Sequence, residues 1–253
     1  MKKTHLALAL FFVSLILPVS SSAFEIGAKG YYWFPSFDGT VKVDDANIAG
    51  TEIYFDKDLG IDDENYPSIE VFAGLDDHHL SLTYTNIDYS GEETIDKQII
   101  FNGRTYNIND QVSSSISYEM LDLAYQYDFL DLENILAGLS MGVVLQAKYM
   151  DGEVSLKTNG IDEREEFTFP IPMVGINLHI GILADILEAR LRGTAIGYSG
   201  NSVYEIMADI SWTPFPFIDI HGGLKKFVID VDEDDVMLDY DMTGPYAALT
   251  ISF

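Results

Sequence analysis

The run Asp76-Asp77-His78-His79 sets two carboxylates beside two imidazoles, a pairing able to activate water or to bind a metal ion. Its setting argues against that use. Asp-rich stretches between alternating apolar segments read as tight turns, so a solvated turn is the expectation. A second candidate lies late in the chain, where Asp230, Asp232 and Asp234 place oxygen ligands at alternate positions beside Glu233, Asp235, Asp239 and Asp241, with no basic residue in the group. Such ligands suit Ca²⁺. The Gly at the sixth position and the Glu at the twelfth of an EF-hand loop are missing, so Ca²⁺ is weighed there against a solvated acidic surface. An earlier group, Asp44, Asp45, Asp56, Asp58, Asp62, Asp63 and Glu64, reads the same way. No other cofactor is implied. No Gly-x-Ser-x-Gly elbow is present either.

A third set of groups bears on architecture. Arg190 and Arg192 fall on one face of an alternating segment with Glu188 and Thr194. Two guanidinium groups cannot point into hydrocarbon, where each costs roughly 2–4 kcal/mol at the midplane, so they imply a polar interior. The same parity puts Glu25, Lys29, Glu70, Asp122, Lys148, His179, Glu205 and Asp209 inside. Such a set makes either a narrow solute path or a plug of mutual ion pairs. In a barrel of about eight strands the interior is only just wide enough for side chains, which favours the plug.

The segments that position these groups alternate with period two. They run at about 24–34, 66–75, from 79, 113–129, 137–150, 169–182, 187–198, 202–213, 217–229 and 236–253, ten in all, with eight as the alternative. Short turns and long polar loops separate them in turn. Asn102-Gly103 between apolar alternations signals a hairpin within one long loop. Leu183-Ala184-Asp185-Ile186 reads as a short connection in preference to a helical turn, Pro214-Phe215-Pro216 as a turn, and Gly222-Gly223 as the site of a bulge. Trp33 and Phe34 at one end, and Tyr127, Phe129, Trp212, Phe215, Phe217 and Phe253 at the other, read as interfacial girdles.

The formal net charge of −27 disfavours nucleic acid as a partner. With 15 Tyr, 15 Phe and 47 % hydrophobic residues, that charge does not signal disorder. Lys2 and Lys3, an apolar run from Leu6 to Leu17, and Ser21 and Ala23 read as a cleavable signal peptide over residues 1–23, with residues 24–253 as one domain. There is no cysteine for a disulfide or a lipid anchor.

The leader, the ten alternating segments, Gly27-Ala28-Lys29-Gly30-Tyr31-Tyr32-Trp33-Phe34, Phe101-Asn102-Gly103-Arg104-Thr105-Tyr106 and the terminal Phe253 together resemble small stand-alone outer-membrane β-barrel proteins of Gram-negative bacteria. The resemblance implies an all-β, closed antiparallel transmembrane barrel in the cell outer membrane. It also implies a monomer that meets the barrel assembly machinery during biogenesis, then outer-membrane lipids and lipopolysaccharide, with which the acidic loops could share divalent cations. No peptidoglycan-binding domain is expected after the last strand. Outer-membrane aspartyl-type proteases, which the chain resembles in strand number, carry their acid and His groups at the extracellular rim, whereas Asp76 to His79 fall in a periplasmic turn. The expectation is a non-enzymatic barrel with a structural role or slow passage of small solutes. The alternatives are a barrel enzyme acting on lipid or peptide, and a surface-binding barrel using its long acidic loops.

Overall fold

The computed structural model describes residues 24–44, 48–132, 138–183, 186–233 and 236–253. The expected signal peptide, the connection at 184–185, and Asp45, Asp234 and Asp235 lie outside them. Ten strands form a closed antiparallel barrel: β1 (Phe24–Trp33), β4 (Tyr66–Leu75), β5 (His78–Thr94), β8 (Gln111–Asp131), β9 (Leu139–Thr158), β10 (Ile161–Leu183), β11 (Leu187–Tyr198), β12 (Asn201–Phe215), β13 (Ile218–Glu233) and β14 (Val236–Ser252). The seam is β1 on β14, running from Gly27 opposite Ser252 to Trp33 opposite Tyr246. Phe253 completes it by exchanging backbone hydrogen bonds with Ile26 at 2.9 and 3.0 Å.

Strands β8, β9 and β10 have 21, 20 and 23 residues, about twice what a tilted spanning strand needs. Each therefore has a lower part near the short turns and an upper part near the long loops. On the lower part of β8, Leu121, Leu123, Tyr125 and Tyr127 point out and are exposed, while Asp122, Ala124 and Asp128 are buried inside. On the upper part the pleat keeps its parity but the polarity of the two faces reverses, with Val112, Ile116, Tyr118 and Met120 buried inside and Ser113, Ser115, Ser117 and Glu119 outside. Strand β5 does the same, from Leu80 and Leu82 outside to Ile87 and Tyr89 inside. An outer face of exposed Leu145, Val174 and Ile176 is stable against hydrocarbon, not water. The reversal marks where hydrocarbon ends.

Shorter elements fill the loop end. After Pro35 the chain bends off β1 into β2 (Ser36–Val43), which continues the ladder on the upper part of β14. Then β3 (Ile53–Tyr54) and the one-turn helix α1 (Phe55–Leu59) cross the mouth, burying Ile53, Phe55, Leu59 and Ile61. Phe37 stacks on Tyr89 at 4.2 Å and on Phe55 at 5.3 Å. Gly91 makes room for this crossing: a Cβ there would come within 2.2 Å of the Leu59 carbonyl oxygen. The expected hairpin forms β6 (Ile99–Phe101) and β7 (Arg104–Tyr106) around Asn102 and Gly103. Both turn residues have the positive φ that a type I′ turn requires, 47° and 68°. The hairpin folds inward, with Ile99, Phe101 and Tyr106 buried.

Three sequence expectations change. Trp33 is not a girdle residue; it points inward, fully buried, and donates Nε1–H to the Gly244 carbonyl at 3.3 Å. Gly222-Gly223 carries no bulge, since Asp209 to Ile210 pair with it in unbroken register. Gly223 instead permits close approach, a Cβ there meeting the Ala208 carbonyl at 2.4 Å. The last turn is Pro216-Phe217, with Pro214 and Phe215 still in β12. Pro170 and Pro172 also sit within a strand, on the stretch of β10 that pairs with β9 alone. There the missing N–H groups cost no ladder bond on the second side.

Candidate functional site

Every residue expected in the lumen lies on an inward parity, and the structure sorts them into two groups. The upper group is Asp122 on β8, Lys148 on β9 and Glu205 on β12, joined by Lys225 on β13. Lys148 bonds Asp122 and lies 2.9 Å from Glu205, which also takes Lys225 at 3.2 Å. Two cations and two anions thus form a neutral, buried quartet. Gln146 donates to Glu205 at 3.2 Å and also to Asp122, and Thr194 donates to the Gln146 carbonyl oxygen. Lys225 was missed in the sequence because the glycines before it obscure the parity of β13.

Directly above, aromatic faces cover the lysines. Lys225 Nζ lies 4.9 Å from the Trp33 ring and 5.5 Å from that of Tyr31, and Lys148 lies 5.3 Å from Phe227. Such contacts favour a desolvated cation. Higher still, Tyr118 and Tyr240 bond through their hydroxyls beside Met242, all buried. The lumen is closed by charge pairing at mid-height and by a packed aromatic column above.

The lower group surrounds a cavity of about 360 Å³ lined by Glu25, Lys29, Glu70, Glu188, Arg190, Arg192 and Asp209, with His79, Asp128 and His179. Asp209 accepts from the Tyr246 hydroxyl at 2.8 Å and lies 3.3 Å from His221 Nδ1 and 3.9 Å from Arg190 Nε. His179 pairs with Glu188 at 3.2 Å, and His79 with Asp128 at 3.1 Å. The Asp76 to His79 run is therefore only half a solvated turn. Asp76 and Asp77 turn the chain, but β5 begins at His78 and parity sends His79 into the lumen.

The loop acids have structural partners. Asp58 is buried against Lys97 at 2.6 Å, and Asp63 accepts the Phe37 N–H at 2.7 Å. The backbone N–H of Gly50, then Lys42, holds the Asp44 carboxyl below its usual range. In the late group, Asp230 stands opposite Asp239 across β13 and β14. Partial burial and then Asp230 push the Asp239 carboxyl up. The sequence showed this group without a basic residue, yet antiparallel pairing brings Lys226 onto Asp241. Among the described residues no three or more His, Asp or Glu side chains are arranged to hold a metal ion.

No protein-family model matches the chain, and no curated sequence matches it. Solved structures do. The outer-membrane protease OmpT from Escherichia coli superposes with a TM-score of 0.60 at 9 % identity, over 91 % of this chain and 98 % of that one. The translocator domain of the autotransporter NalP from Neisseria meningitidis gives 0.44 at 8 % identity, over 91 % and 88 %. Ail, the attachment invasion locus protein of Yersinia pestis, gives 0.34 at 13 % identity, over 89 % and 97 %. At these identities the likeness is one of fold, and the first of the three carries it: this chain has the closed antiparallel barrel fold of bacterial outer-membrane proteins.

Proposed function

We propose that the protein is a non-enzymatic, non-conducting outer-membrane barrel with a structural role, holding a rigid acidic platform beyond the membrane. The observation that carries this reading is the double closure of the lumen, by the Lys148–Asp122–Glu205–Lys225 quartet and by the aromatic column above it. A solute on its way through would have to break both. Acid–base hydrolysis at the loop end is disfavoured, because the described histidines, His78, His79, His179 and His221, all lie on the lower halves of their strands. Conductance of the purified protein in a planar bilayer tests the proposal. The expected trace does not differ from the bare bilayer, and discrete unitary steps would overturn it.

A further inference from the structure

The lower cavity holds charges whose hydrogen-bonding capacity is unevenly used. Its carboxylates are engaged: Glu70 accepts from Thr83, Asp128 from Gln126, Asp219 from Thr213, and Asp209 and Glu188 have the partners given above. Glu25 stands exposed at the rim. The permanent cations are not so engaged. An arginine offers five N–H donors and a lysine three. Among the described residues Arg192 makes no hydrogen bond or ion pair; its register partners are Asn177 and Met207. Lys29 is 8 % exposed, with the Tyr246 ring at 5.7 Å and Glu70 as its register partner, and among the described residues it makes no hydrogen bond or ion pair. Arg190 has only long contacts, 3.4 Å to His221, 3.8 Å to Glu188 and 3.9 Å to Asp209. All three line one cavity, where Lys29 faces Glu70 and Asp209 first and the two arginines after them.

The donors of Arg192 and Lys29, left without a bonded acceptor in a cavity that also holds Glu25, Glu70, Asp128, Glu188, Asp209 and Asp219, are explained by an acceptor that comes from outside. We propose that this cavity binds a small oxyanion-bearing solute, a phosphate or a polycarboxylate, held in the forks of Arg192 and Arg190 and by Lys29. Guanidinium forks match both anions bidentately. The volume falls within the roughly 300–1,000 Å³ of small-molecule sites. The quartet closes the cavity from above, so the ligand enters and leaves by the short-turn end, which faces the periplasm in barrels of this kind. This is a dead-end binding site, and it stands or falls independently of conductance.

Titration calorimetry on the full chain in a phosphate-free maltoside detergent, with inorganic phosphate and with citrate as probes, decides it. The expected result is one saturable site for at least one probe. Binding should weaken at least tenfold in Arg192→Gln and in Lys29→Met, and should not change in Lys42→Gln at the loop end. Far-ultraviolet circular dichroism checks that each variant is folded; if one variant misfolds, the other decides. Absence of binding by either probe, or folded variants that bind as tightly as the parent, would overturn the proposal.

Discussion

The lower and upper halves of β5, β8, β9 and β14 are built from the same strands but obey opposite rules. Below, the outer face is apolar and the interior charged, as at Leu123 and Asp122. Above, the interior is aromatic and aliphatic and the outer face is acidic, as at Tyr118 and Glu119. Each half is stable only in its own surroundings, hydrocarbon below and water above. The switch happens within a single pair of residues, Met120 inside and Leu121 outside. An unbroken ladder therefore carries two folding problems, and depth in the membrane follows from where the apolar face changes sides.

Removing one member of the quartet should give the largest effect, because the remaining charges stay buried without balance. Glu205→Leu should destabilise the barrel by about 3–5 kcal/mol in urea unfolding of the detergent-refolded protein. A loss near that of an exposed pair, under about 1 kcal/mol, would mean that the quartet contributes little to closure. The switch in polarity is tested next by placing the same charge on one face of β8 at two heights. Leu123→Arg should cost about 2–4 kcal/mol in lipid, whereas Ser117→Arg should stay within about 0.5 kcal/mol. Equal costs would place the hydrocarbon boundary elsewhere. The smallest effect concerns Asp239, whose carboxyl is raised by partial burial and by Asp230. Its folded value lies above its unfolded one, so its charge costs stability at neutral pH, and that cost disappears as pH falls through the raised value. Asp239→Asn should thus gain a few tenths of a kcal/mol at neutral pH, at the low end of the roughly 0.2–1 kcal/mol of cross-strand pairs. The gain should vanish in acid; a gain that persists there would exclude like-charge repulsion as its cause.

Much of this was legible in the sequence. Alternation reports parity directly, so the ten strands and the inward Lys29, Asp122, Lys148, Arg190 and Asp209 follow from period-two reading. Asn102-Gly103 fixed its hairpin because few residues tolerate two successive positive φ angles. The upper column was not legible in the same way. Its strands were read, but not its packing, because the apolar face passes from outside to inside at residue 120 while the sequence reading kept one apolar face throughout. The crossing of the mouth by α1 rests on long-range packing, of Phe55 on Phe37 and of Leu59 over Gly91, which no local pattern announces. His79 is different: outward Leu80 and Leu82 already put it on the inward parity, but reading the whole Asp76 to His79 run as a turn hid it.

The β1–β14 seam bears on how the protein comes into being. Trp33 and Gly244, hydrogen-bonded across it, stand 211 positions apart in the chain. Nearly the whole sequence must be present before the first strand meets its second neighbour, so loop-closure entropy has to be met before that contact returns anything. Until then β1 and the newest strand each expose an unpaired backbone edge beside an apolar face, the combination that drives strand-to-strand aggregation. A chain of this design needs those two edges kept apart from other chains until β14 closes on β1.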